Sequence, residues 1–437
     1  MEVINVKYNH LDVGALSYDP VAKIGYFEYL PSFIKTGIEL SPIKMPLSKK
    51  IYSFPDLDFQ TFKGLPGLIA DSLPDDFGNA VMNAWIASKG QSPSDITALQ
   101  RLQYTGKRGM GALSYSPAIK RKNLNTSRPI FIETLVNIAQ DILNKREQFN
   151  VNLNVDGEED TDNMMSLMSV GMSAGGARPK AVLAFNDNFT QVRSGQANVP
   201  DGFTHYLMKF DGVSEHNKDQ EVFGDPLGYG AMEYVYHLLA KQCAIDMMPC
   251  HLLKEGKRRH FITQRFDRKG NDKCHVQTLN ALEHVSYKKI GTYSYAELFA
   301  TARKLQLSPD DAIQLFKRMV FNVVSRNHDD HVKNFGFMLD DTNKWELAPA
   351  YDLAYSYKPD SLWVSKHWMT LNGKQDHFTR DDFYSFETLS PIFNKRRIDE
   401  ILNHTIKVVS KWRELAQKHD VPKILIDKID KNLRLSI

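Results

Sequence analysis

The sequence predicts an α+β chain in which strands come early and helices dominate the second half. Three observations carry this. Short period-two runs at Ile4–Tyr8 and Gly14–Tyr18, parted by Asn9-His10, open the chain as strands. From about residue 165 to 268 strand-like runs dominate, apart from one helix over Tyr229–Cys243. Beyond 268 the periodicity is mostly helical, closing with helices over Arg396–His419 and Pro422–Leu433.

Taken in order, the first region (residues 1–150) continues from its strands into helices such as Phe77–Ser88 and Ile130–Asn144. Residues 156–163, Asp-Gly-Glu-Glu-Asp-Thr-Asp-Asn, are acidic without apolar anchors and read as a loop. The second region (151–268) holds strands at Ala181–Phe185, Thr204–Phe210 and Arg259–Arg268, the last running into a linker. The third region (269–437) contains the clearest helix signal. Ser308 is the N-cap, Pro309 takes the first helical position and Asp311 completes a capping box. Ile313, Phe316, Met319, Val320, Val323 and Val324 then form one apolar stripe, and the helix should end near Ser325. Phe335–Leu339 and Trp345–Leu347 follow as two strands, with Asp340–Asn343 as the turn between them.

The loop between that helix and its hairpin carries the chemistry. Ser325-Arg-Asn-His-Asp-Asp-His-Val-Lys-Asn334 places a carboxylate at Asp329 and an amide at Asn334, and Leu347-Ala-Pro-Ala-Tyr-Asp352 adds a second carboxylate downstream. Phosphoryl transfer from a nucleotide asks for an acid that orients a hydroxyl, plus an amide and a carboxylate that hold magnesium against the phosphates. The spacing Asp-x-x-x-x-Asn with a separate downstream metal Asp is that of a protein kinase catalytic loop. Two other readings stay open here. His328 and His331, with Asp329 and Asp330 between them, could ligate a transition metal in a hydrolase. The run could also be a set of solvated loop charges.

Upstream, Ser173-Ala-Gly-Gly-Ala-Arg-Pro-Lys180 puts two adjacent glycines before a strand, where backbone N–H groups can approach phosphate oxygens. It is neither a Walker A motif nor GxGxxG, and a plain turn is the alternative. Lys209 lies in an otherwise apolar strand and needs a partner; a nucleotide phosphate or solvent at a sheet edge would each serve. Glu233 on the helix Tyr229–Cys243 could pair with Lys209 or make another structural contact. His205, His237 and His260 are scattered and receive no role. The order is Gly-rich segment, strand lysine, helix, linker, catalytic loop and metal Asp, which is the order of a kinase.

Composition narrows the class without deciding it. A chain of 437 residues suggests two or more domains, and 42% hydrophobic with 24% charged residues is ordinary for a globular protein. A net charge of +3 is too small to argue for direct nucleic-acid binding. The basic runs Lys120–Lys122, Lys257–Arg259 and Lys395–Arg397 read as solvated faces. Three cysteines, Cys243, Cys250 and Cys274, lack metal-type spacing and suit a reducing cytosol. No signal peptide and no uninterrupted apolar run of membrane-spanning length is visible, so a cytoplasmic protein without membrane contact is expected.

On these motifs the chain resembles the HipA family of serine/threonine kinase toxins from bacterial toxin–antitoxin pairs. Leu65-Pro-Gly-Leu-Ile-Ala-Asp-Ser-Leu-Pro-Asp-Asp-Phe-Gly78 is similar to the signature of the family's N-terminal subdomain. Ser173–Lys180, Gln264-Arg-Phe-Asp-Arg268, Asn327–Phe335 and Ala348–Asp352 are similar to its kinase-core motifs, in order. The resemblance implies a bilobal protein-kinase-like fold: a mixed N-terminal lobe with an extra subdomain (1–150) and a strand core with Gly-rich loop and hinge (151–268), then a mostly helical C-terminal lobe (269–437). It implies ATP and magnesium as cofactors. Asp329 would be the catalytic base, and Asn334 and Asp352 the metal ligands. Lys209 and His331 would contact the triphosphate, as would Ser173, Ala174, Gly175, Gly176, Lys180 and Lys333 around the two loops. Gln264 and Phe266 would contact adenine through the hinge backbone. Ser173 matches the family's autophosphorylation site, where modification ejects the loop.

Two positions depart from the family pattern. Gln264 stands where a glutamate is familiar, and Asp330 places a second charge beside the base. The implied partners are a HipB-like helix-turn-helix antitoxin, operator DNA reached through it, and a protein substrate, with glutamyl-tRNA synthetase as the precedent. A HipA-like module acting mainly as antitoxin partner and corepressor is the competing reading.

Overall fold

The computed structural model describes residues 2–87, 90–118, 127, 129–145, 178–214 and 224–437. The acidic run 156–163 and the segment Ser173–Gly176 lie outside the described residues. Contacts divide the chain into two compact units. One comprises Met1–Ser41, Met45–Gly230 and His251–Val276; the other comprises Pro42–Lys44, Ala231–Cys250 and Gln277–Ile437.

The first unit contains two sheets. Glu2–Tyr8 pairs antiparallel with Leu11–Asp19 across a tight turn at Asn9, whose φ of 51° is the left-handed backbone such a turn requires. Ile24–Tyr29 and Leu113–Ser116 complete that sheet on either side. The second sheet has the order Cys250–Glu255, Arg258–Gln264, Phe203–Lys209, Lys180–Asn186, Val192–Ser194. Ala181, Leu183 and Phe185 alternate along their strand and join one core cluster with Met208 and Ile262. Helices Asp76–Ala87 and Ile132–Lys145 supply Phe77, Val81, Trp85, Val136 and Ala139 to the same cluster.

His275 sets an acid limit on this unit. It is fully buried and donates from Nε2 to the Leu40 carbonyl at 2.9 Å, and burial pushes its imidazole down to about 4. An unfolded histidine titrates near 6.5, so below that pH the unfolded chain binds the proton that the folded chain refuses. Stability is therefore expected to fall as pH drops from about 6.5 to 4, by roughly 3 kcal/mol from this residue. In chemical denaturation, His275→Gln keeps an N–H for Leu40 and should lose less stability over that window than the wild type. Equal losses would contradict the assignment.

The second unit is built on the helix Pro309–Ser325. Ser308 and Asp311 form the expected capping box, and Phe316, Met319, Val320, Val323 and Val324 are buried as the stripe predicts, while Ile313 is only half-buried. The helix ends at Arg326 in left-handed backbone, φ 60°. The hairpin Gly336–Leu339 and Trp345–Leu347 follows as expected. One expectation is corrected. Arg396–His419 is two helices, Lys395–Val409 and Trp412–Lys418, because the first stops at Ser410 and the indole of Trp412 is buried, donating to the Ile426 carbonyl at 3.2 Å. Among the described residues no helix is long and apolar enough to cross a membrane.

Candidate active site

The catalytic-loop residues lie together in the second unit. Residues 327–331 are irregular, and Val332–Asn334 forms one 3₁₀ turn. The Asp329 side chain is half-exposed, and the His331 Nε2 stands 3.6 Å from its Oδ1, an ion-pair distance. Asn334 donates from Nδ2 to the Asp329 carbonyl at 2.7 Å. That bond commits the amide nitrogen and leaves Oδ1 as the atom free to face a cation. Asp352 has φ 53°, a left-handed conformation that asparagine and aspartate tolerate better than most side chains. Its backbone carbonyl accepts from Asn327 Nδ2 at 3.5 Å.

Asn334 and Asp352 line one small recess of about 10 Å³, with Arg318, Asn322, Asn327 and Asp330 among its other walls. The oxygens of an amide and a carboxylate are hard donors and fit magnesium, which keeps several waters and takes few protein ligands. Arg318 is buried there and donates to the Ala348 carbonyl at 2.8 Å, tying the helix to the strand end that leads to Asp352; burial brings its guanidinium down to about 10. Lys333 holds its ammonium 5.0 Å from the Tyr287 ring centre, and its carbonyl accepts from the Tyr351 hydroxyl at 2.9 Å.

Two residues of the loop differ from their sequence reading. Asp330 adds no charge on the exposed side, because its carboxylate is buried and bonded to Tyr295, His367 and the Trp368 N–H. His328 is fully buried, its ring centre 4.1 Å from that of His367, and burial together with His367 and Arg326 holds its imidazole well below the usual range. Such a histidine packs the loop. Among the described residues no group of three His, Cys, Asp or Glu side chains could hold a metal ion.

In the first unit, Lys180 and Lys209 sit directly opposite on neighbouring antiparallel strands and are both buried. Opposed like charges on one face need counter-charge. Asp75, at the start of the helix Asp76–Ala87, gives Lys180 one at 3.6 Å. The Lys209 ammonium lies 5.9 Å from the Phe261 ring centre. Gln264 ends its strand, and the following residues turn at Phe266. Arg265 donates from Nε to buried Asp267 at 2.7 Å, and Asp267 also accepts from the Gly111 N–H at 2.8 Å. Burial works to raise the Asp267 carboxyl, but Arg265, Arg268 and these bonds hold it well below the usual carboxylate range. Glu233, which belongs to the second unit, is buried on its helix Tyr229–Gln242.

Sequence reasoning missed Asp75, Tyr295, Arg318 and His367. Asp75 lay inside the Leu65–Gly78 motif and carried the N-cap signal of Asp followed by a helix. Tyr295 and His367 gave no local signal, since their partner is far away in sequence.

The HipA-like C-terminal domain matches residues 172–412, more than half of the chain, and the HipA N-terminal domain matches residues 4–116. Y4mE of Sinorhizobium fredii, named as a candidate kinase, is 26% identical over 194 residues; the match covers 40% of this chain and 45% of Y4mE, so the chain spans less than half of that relative. The solved structure of Shewanella oneidensis HipA with HipB and its operator DNA overlays with a TM-score of 0.63 at 18% identity, covering 97% of this chain and 91% of that one. The Helicobacter pylori proinflammatory kinase CtkA overlays at a TM-score of 0.33 and 13% identity, over 59% of this chain and 92% of its own. The fold is the mixed α+β fold of the HipA structure. With both of its domains matched in order, the chain belongs to the HipA family.

Proposed function

We propose that this protein is an ATP- and magnesium-dependent serine/threonine protein kinase that acts as the toxin of a toxin–antitoxin pair. The observation that carries the reading is the recess shared by Asn334 and Asp352, with the Asn334 amide bonded to the Asp329 carbonyl. The base is thereby joined to one metal ligand through the loop backbone, and the second metal ligand lines the same recess as the first. When bound, ATP supplies the phosphoryl group and magnesium neutralises charge on its phosphates. Asp329 accepts the proton of the substrate hydroxyl as its oxygen bonds to the γ-phosphorus; the bond to the β-phosphate oxygen breaks and ADP leaves with that electron pair. Asn334 and Asp352 hold the metal. Lys209, His331 and Lys333, with the backbone of Ser173, Ala174, Gly175 and Gly176, bind phosphate oxygens, while Lys180 stays with buried Asp75. The backbone of Gln264 and Phe266 takes adenine.

Partners follow the same reading. A HipB-like helix-turn-helix antitoxin holds the chain and connects it to operator DNA, as HipB and DNA accompany the Shewanella protein. The substrate is a translation-related protein, with glutamyl-tRNA synthetase the first to try, and the kinase acts in the cytoplasm.

Asp352→Asn removes a charge from the metal's shell, so magnesium-dependent ATP binding is expected to weaken about tenfold or more. Titration calorimetry with and without magnesium checks this, and unchanged binding would remove Asp352 from the metal site. Ser173 is proposed as the autophosphorylation site, since a phosphate there adds about −1.5 to −2 charge beside the nucleotide phosphates and should lower ATP affinity. Phosphopeptide mapping after incubation with ATP and magnesium is expected to find Ser173. A Ser173→Ala protein that labels itself equally well would exclude it.

A further inference from the structure

Asp330 is buried where its neighbour Asp329 is half-exposed, and the reason lies in what Asp330 binds. Its Oδ2 accepts from the Tyr295 hydroxyl at 2.6 Å and lies 2.8 Å from the His367 Nδ1, and its Oδ1 accepts from the Trp368 N–H at 2.7 Å. A carboxylate beside it sets the His367 tautomer with the proton on Nδ1. The Tyr295 phenol, raised well above its ordinary range by burial and by Asp330, stays protonated and keeps donating. Three donors from two parts of the second unit thus converge on one buried carboxylate: one from the helix Tyr295–Lys304, and two from consecutive residues of the segment after Asp352.

The network continues to the metal ligands. Asn322, on the helix Pro309–Ser325, donates to the Tyr295 hydroxyl at 3.2 Å. Asn327 donates to Asn322 Oδ1 at 2.9 Å and reaches the Asp352 carbonyl at 3.5 Å. Asn322, Asn327 and Asp330 also line the recess that holds Asn334 and Asp352. All five of the network's polar side chains, Tyr295, Asn322, Asn327, Asp330 and His367, are buried. The groups bonded in it have few alternative arrangements, because each move would leave a desolvated donor or acceptor without its bond.

We infer that Asp330, held by Tyr295 and His367, is a positioning residue for phosphoryl transfer: its anchorage turns Asp329 outward and fixes it relative to Asn334 and Asp352. The inference rests on the kinase reading, with Asp329 as the base. Asp330 touches no reacting atom. Its effect passes through the loop backbone, in the way that outer groups orient the direct ligands of a site.

The test compares Tyr295→Phe, Asp330→Asn and Asp329→Asn with the wild type, measuring kcat for phosphate transfer per folded molecule, ATP affinity and the magnesium concentration for half-maximal rate. Tyr295→Phe deletes one hydrogen bond and keeps the ring, so it remains informative if Asp330→Asn fails to fold. The expected result is a fall in kcat of about 10- to 100-fold for both positioning variants, a raised magnesium requirement, and ATP affinity within about threefold of wild type. A merely structural role would lower the melting temperature and leave kcat per folded molecule and the magnesium requirement unchanged; that result overturns the inference. If Asp329→Asn is inactive while Tyr295→Phe matches the wild type, the inference fails and the kinase reading stands. If Asp329→Asn turns over normally, the reading fails and takes the inference with it.

Discussion

Asp329→Asn is expected to lower phosphate transfer by about 10²- to 10⁴-fold while leaving the ATP dissociation constant within a few-fold. The amide keeps the size of the carboxylate but cannot accept the proton of the attacking hydroxyl. Asp329 is half-exposed, and its carbonyl, the group that binds the Asn334 amide, is unchanged by the substitution. The recess of Asn334 and Asp352 should therefore survive. Loss confined to kcat is what a group acting only in the chemical step produces. Steady-state kinetics with direct nucleotide titration separates the two parameters, and near wild-type turnover would remove Asp329 from the chemistry.

Asp267→Ala should produce the largest loss of stability, about 3–5 kcal/mol. Asp267 is fully buried, receives the Nε–H of Arg265 and the N–H of Gly111, and is the carboxylate between two buried guanidinium groups, Arg265 and Arg268. Alanine would leave both cations desolvated without it, and Arg268 is already brought down to about 9, chiefly by burial. Urea denaturation at neutral pH reads the change as a lower midpoint at unchanged slope. A loss under about 1 kcal/mol would mean that the arginines find other partners or water.

Legibility followed the range of the interactions. The helix Pro309–Ser325 was readable to its ends because capping box, first-turn proline and apolar stripe are all local, as was the hairpin after it. The kinase-type spacing of Asp329, Asn334 and Asp352 was readable because all three fall within one loop and its hairpin. The break at Ser410–Lys411 was not, since neither residue is a helix breaker and the buried Trp412 decides it by its bond to Ile426. The surroundings of Asp330 and His328 were not legible for the same reason. Their partners His367 and Tyr295 lie more than thirty residues away, and nothing near Asp330 marks it as buried. Lys180 read as part of a phosphate loop, and its pairing with Asp75 depends on a helix about a hundred residues earlier.

The most direct test of the central claim is incubation of the purified full chain with ATP labelled at the γ-phosphate, with and without magnesium, followed by phosphoamino-acid analysis. The account predicts label on serine or threonine of the chain itself, only with magnesium, and none in the Asp329→Asn protein. Absence of both ATP binding and label would contradict it and favour a HipA-like module that works through its partners alone.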